Sequence, residues 1–179
     1  MKNLSVLFVL FLAGLGFNPI QAQVTLQGTK VEESQVPQAV KEAYQANFSA
    51  PVVRWELHSK SRNDKSKEKY VAVFKEGAQN ARARFKTDGT YISSSIYLKA
   101  ADIPQNIQSA AVAAFPGMQV RSGVKTKVAK SGQEFYKVYL MKTGVRQRST
   151  FICDVNGQAI TKEKMPAELS EEEGEAEGQ

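Results

Sequence analysis

Two stretches of this chain carry helical spacing, and each is followed by runs that alternate. In the first, Val36, Val40, Ala43, Tyr44 and Phe48 recur at intervals of three and four, which places them on one helical face. Pro37 suits the first turn, where a missing N–H costs nothing, and Ser49-Ala50-Pro51 stops the helix. Val53, Trp55 and Leu57 then alternate with Arg54, Glu56 and His58, the signature of a half-buried strand. Ser59 to Lys67 is a polar loop without an apolar residue. Tyr70 to Phe74 reads as a second strand. Ala81, Ala83 and Phe85, alternating with Arg82, Arg84 and Lys86, read as a third, and Tyr91 to Leu98 as a fourth. Glu76-Gly77 marks one turn, and Asp88-Gly89 is a strong hairpin signal.

The script then runs again. Ile103-Pro104-Gln105 repeats Val36-Pro37-Gln38 at a spacing of 67 residues, and Phe115 repeats Phe48. Asp102 is placed to cap a helix through Ile107, Ala110, Ala111, Ala114 and Phe115, ended by Pro116-Gly117. Strands are expected at 118–124, 134–142 and 145–153. Asn156-Gly157 then turns into a short last strand around 158–161. Tyr136-Lys137-Val138-Tyr139-Leu140 echoes Tyr70 to Phe74, and Asn156-Gly157 echoes Asp88-Gly89 one residue out of step. A period this long is one supersecondary unit used twice. The expected fold class is α+β: two tandem α-β-β-β-β repeats, 34–99 and 100–165. Their tight turns imply antiparallel pairing, and one shared sheet of about eight strands with both helices on one face would bury enough core.

The ends read differently. Met1-Lys2-Asn3, an uncharged apolar run from Leu4 to Leu15, and a small residue at Ala22 make residues 1–22 a secretory signal peptide. The apolar run is too short for a membrane span, which needs about 20 residues, and no later run is long enough. Residues 23–33 are a linker and 166–179 an acidic tail. Expected localisation is periplasmic or secreted. Cys153 is the only cysteine, so no intrachain disulfide can form, and its place in a strand-like run marks it as a small buried hydrophobe.

The net charge of +6 conceals a partition. Glu168, Glu171, Glu172, Glu173, Glu175 and Glu177 follow the last basic residue, Lys164. Residues 23–167 hold 23 basic and 12 acidic side chains, a body of +11 that attracts anions or acidic surfaces. Ser170 to Gln179 lacks aromatic and branched apolar residues and is expected to be disordered, a solubilising tail before it is a segment that folds back on the body.

No catalytic set emerges. His58 is the single histidine, so a histidine cluster for a metal is excluded, and its polar strand face argues for solvent exposure. Ser93-Ser94-Ser95 lacks the nucleophile-elbow glycines, and no phosphate-binding glycine loop occurs. No enzyme, cofactor or metal is expected.

The two helix starts (Val36-Pro37, Ile103-Pro104), the helix ends at Phe48 and Phe115, the Tyr-headed second strands and the two hairpins together resemble the PepSY-like, beta-lactamase-inhibitor-like exported proteins of Bacteroidetes, over residues 34–163. The resemblance implies binding and names no target.

One helix per unit covers one sheet face and leaves the other open. With Tyr70, Ala72 and Phe74 under the helix, the open face collects Arg82, Arg84, Tyr91 and Tyr97 from the first unit and Tyr139, Arg146 and Arg148 from the second. Arginine and aromatic residues dominate binding hot spots, so these seven are the candidate partner-binding residues. The expected partner is a protein or peptide of the envelope or extracellular space, acidic ones included, and not nucleic acid. A carrier of a small anionic or glycan ligand and a structural envelope protein are the alternatives.

Overall fold

The computed structural model describes residues 28–59, 68–144 and 147–166. The expected signal peptide, the loop at 60–67, Arg146 and the tail from 167 lie outside these residues.

Eight strands form a single sheet: β1 (Thr29–Val31), β2 (Val52–Ser59), β3 (Glu68–Glu76), β4 (Gln79–Lys86), β5 (Tyr91–Lys99), β6 (Met118–Val128), β7 (Glu134–Lys142) and β8 (Arg148–Asp154). Their spatial order is their sequence order, and every pairing is antiparallel. Helix α1 (Gln38–Asn47) joins β1 to β2, and α2 (Gln105–Ala114) joins β5 to β6.

Alternation along the strands places both helices on one face. Val40 and Tyr44 of α1 pack on Trp55, Ala72, Phe74, Ala83 and Phe85. Ile107 and Ala111 of α2 pack on Tyr136, Val138, Leu140, Phe151 and Cys153. Ile96 of β5 touches both clusters and joins them into one layer. Tyr44 is the hub of the first cluster. Its ring lies edge-on to Trp55, Phe74 and Phe85 at 5.8, 5.5 and 6.3 Å, and stacks with Phe48 at 5.3 Å. Such pairs add roughly 0.5–1.5 kcal/mol each beyond area burial. The Tyr44 hydroxyl donates to the Ala50 carbonyl at 2.7 Å, so the polar end is satisfied at the rim.

The two helices are built alike. Pro37 and Pro104 precede them with nearly equal backbone angles, φ −53°, ψ 142° and φ −54°, ψ 140°. Phe48 and Phe115 end them by donating backbone N–H to Tyr44 and Ala111. A 3-10 turn leads into each, at Glu33–Gln35 and Ala100–Asp102. The hairpin glycines also dock alike. Gly89 (φ 87°) and Gly157 (φ 84°) adopt the left-handed conformation. A Cβ on Gly89 would strike the Ala39 carbonyl at 2.6 Å, and one on Gly157 would press Ala110 at 3.1 Å.

Several details depart from expectation, each for a local reason. The eighth strand is β1, in the stretch expected to be a linker. The expected strand around 158–161 makes only a single bridge, Cys153 to Ala159. Asp102 ends the 3-10 turn and caps nothing, because Pro104 occupies the boundary of α2. A bulge between Val52 and Arg54 turns Val53 outward, 64% exposed, and Val52 packs inward instead.

Trp55 is 5% exposed and sits in the first cluster. Trp55→Ala is expected to destabilise the fold by about 3–5 kcal/mol, measured by urea denaturation. A loss below about 1 kcal/mol would show that Trp55 is not core.

Candidate functional site

The face opposite the helices is assembled by strand register. One row runs across the sheet through Glu56, Val71, Arg84, Ser93 and Val128. The next runs through Arg54, Val73, Arg82, Ser95, Thr126 and Phe135. Beyond it lie Tyr97, Val124 and Lys137, then Tyr139 and Thr150. Lys69 and Lys86 stand directly opposite each other at the near end, where like charges raise the local positive potential.

This face is not the open, wetted surface the sequence suggested. Arg82 is 7% and Arg84 3% exposed, and Ser93 and Ser95 are fully buried. A sheet with ordinary alternation shows one dry and one wet side. Here the middle of β3, from Tyr70 to Phe74, and of β4, from Ala81 to Phe85, is buried on both.

The polar groups are woven together. Arg84 Nη1 donates to Ser95 Oγ at 2.9 Å, and that hydroxyl lies 3.1 Å from Thr126 Oγ1, linking β4, β5 and β6. The Arg82 guanidinium lies 5.6 Å from the centre of the Tyr97 ring. Lys137 sits 5.8 Å from the Tyr139 ring. Both are cation–π arrangements. On β2, Glu56 takes Arg54 Nε at 2.7 Å and lies 3.0 Å from His58 Nε2. Burial alone would push the Glu56 carboxyl up, but hydrogen bonds from His58 and Arg54, with the charges of Arg82 and Arg54, reverse this and hold it down at about 2. His58, expected in solvent, is 4% exposed on this face. Gly28 explains the fit: a Cβ there would overlap the imidazole, so glycine lets the chain before β1 lie against the ring.

Of the seven sequence candidates, Arg82, Arg84, Tyr97, Tyr139 and Arg148 stand on this face, and Arg148 is exposed at its far end opposite Met141. Tyr97, Tyr139, Arg148 and also Arg121 border a concavity of about 690 Å³. Arg146 lies outside the described residues. Tyr91 is a correction. A bulge between Arg84 and Phe85 advances β5 by one residue, pairs Tyr91 with Phe85 and turns its ring to the helices. There it meets Phe48 at 5.6 Å and Phe85 at 5.5 Å. It borders instead a second cavity of about 400 Å³ on the helix side, beside Phe48 and Lys125. Lys125 is paired there with Glu134 at 2.8 Å.

The alternation puts Ser95 on the open face and Glu56 on the polar side of its strand, but Glu56, Ser95 and Thr126 are not among the candidate residues. Their positions alternate with helix-facing residues, so the signal was present for Glu56 and Ser95. Thr126 lay beyond the expected end of its strand. Cys153 is fully buried, and burial pushes its thiol up to about 11, which leaves it unreactive. Among the described residues no group of three His, Cys, Asp or Glu side chains could hold a metal ion, and no helix is long and apolar enough to cross a membrane.

No family model matches the chain, and no curated protein does. Solved structures match its fold. A DUF2874 family protein from Bacteroides ovatus superposes with a TM-score of 0.56 at 15% identity, over 70% of this chain and 84% of that one. A protein from Bacteroides eggerthii, described provisionally as periplasmic, gives 0.55 at 17% identity, over 70% and 86%. A BLIP-like protein from Bacteroides fragilis gives 0.55 at 13% identity, over 70% and 84%. The chain therefore has the fold of these Bacteroides proteins, a beta-lactamase-inhibitor-like α+β architecture.

Because folding depresses the Glu56 pKa, its stabilising contribution is fully present above about 4.5 and is lost as pH falls towards about 2. Glu56→Gln is expected to lower stability at neutral pH by on the order of 3 kcal/mol, with the gap to the parent closing over that acid range. Urea denaturation of both proteins across that range checks this. A gap that stays constant with pH would show that the carboxylate is not held by its neighbours.

Proposed function

We propose that this protein is an exported, non-enzymatic binding module. The face opposite its helices holds an acidic segment of a protein or peptide partner. The observation that carries this reading is the pair Arg82 and Arg84, buried in the floor of a sheet face among Tyr97, Val71, Val73 and Val124. Arginine can bind carboxylates bidentately, and tyrosine supplies rigid contact area. Lys69, Lys137 and Arg148 extend the positive field around them, against the carboxylates of Glu56 and Asp154 in the same rows, and Asp154 is engaged by the backbone N–H groups of Asn156 and Gln158. The BLIP-like description of one structural neighbour supports capture of a protein over catalysis.

The leader-like start and a neighbour described provisionally as periplasmic support a periplasmic or secreted location. We read the two helix-bearing units as copies of one PepSY-like unit. The matching prolines, phenylalanines, 3-10 turns and helix-docked hairpin glycines support this.

Charge reversal of Arg82 or Arg84 would strand a charge in a buried site and cost about 3–5 kcal/mol, so it cannot separate binding from folding. The half-exposed Lys137 and the exposed Arg148 can. Lys137→Glu with Arg148→Glu should leave thermal stability nearly unchanged, because surface substitutions shift it by only about 0.5 kcal/mol. The double variant should lose the proteins or peptides that the parent retains from envelope extract, identified by mass spectrometry. Retention of the same species by both would overturn the proposal.

A further inference from the structure

The path of the chain after the last strand brings Met165 to the basic face. After β8 the backbone turns at Asn156-Gly157, and Ile160 N–H bonds to the Ile152 carbonyl. Ile160 and Met165 then pack on Val128 and Phe135. Val128 is registered with Ser93 and Arg84, and Phe135 with Thr126, Ser95 and Arg82, so this small apolar cluster lies on the face opposite the helices. The described chain ends one residue later, at Pro166.

We infer that the acidic C-terminal segment, residues 167–179, docks in cis on this face and shields it from external acidic partners. Charge complementarity is direct: six glutamates and no cation follow residue 166, and Arg82, Arg84, Lys69 and Lys137 stand in the rows beside Val128 and Phe135. Reach is ample. Thirteen extended residues span about 43 Å, whereas β6 to β2 is four strand spacings, about 19 Å. The chain's surplus of carboxylates lies in the residues that follow Met165, which itself packs on this face. Docking by this segment stands on the fold alone. Its shielding role rests on the binding reading proposed above.

The test uses a synthetic peptide of residues 167–179 as the probe, titrated by calorimetry into three proteins. These are residues 23–179, the same chain with its six tail glutamates changed to glutamine, and residues 23–166, which retain both core clusters. The peptide should bind the glutamine variant and the shortened chain at low salt, and weaken as salt rises. It should bind the parent at least about tenfold more weakly, because the tethered tail competes at high effective concentration. Equal binding to all three, or no binding to any, overturns the inference. No binding is also the result if the segment before Gly28 or a second copy of the chain covers the face. Capture of envelope species gives the independent readout. If the parent and the shortened chain capture alike and the peptide binds neither, the tail inference fails and the binding module stands. If the peptide binds as expected but no species is captured, the binding reading fails and the docked tail stands.

Discussion

Register is the constraint on which the rest of this structure depends. Each strand pairs only with its neighbours in sequence, so seven successive registers decide which side chains face the helices. A slip of one residue in any of them would exchange the two faces. The tolerance for such a slip is small. Ala72, Ala83, Phe74 and Phe85 must meet Tyr44, while Arg82 and Arg84 between them must stay on the other side. The same alternation that builds the core therefore builds the basic floor. Neither can be altered without the other.

Much of this was legible in the chain because the period-two and period-three-to-four patterns were undisturbed. Both helices, the strands β3, β4, β5 and β7, and the sides taken by Trp55, Arg82, Arg84, Tyr97 and Tyr139 follow from that periodicity alone. What could not be read were the bulges. The one beside Val53 reverses an apolar residue, and the one beside Phe85 moves Tyr91 from one face to the other. An inserted residue has no signature in a polar–apolar pattern, since Ile92 is as apolar as the residues that do enter the core. The short β1 was hidden for another reason. Thr29, Lys30 and Val31 are too few to show a period, and they become a strand only because β2 offers them an edge. Burial of the second face was hidden because cations on alternating positions conventionally mean water.

The two helices are held differently. Tyr44 anchors α1 through four rings, whereas the position 67 residues later is Ala111, fully buried but small. The second cluster makes up the difference from the sheet side with Met118, Leu140 and Phe151. The layout is shared and the packing solution is not. Structural neighbours likewise keep the fold at identities of 13–17%.

The sequential strand order also bears on how the chain acquires its shape. Every ladder in the sheet joins neighbours in sequence, so sequence separations between touching residues are short for a β-rich protein. Low contact order favours rapid folding, because little loop-closure entropy precedes the first rewarding contacts. The first core cluster draws only on residues from Val31 to Ile96. A chain delivered amino-terminus first can thus consolidate half of its interior before the second helix has emerged. The finished β5 then offers a ready edge on which β6, β7 and β8 are laid down one after another.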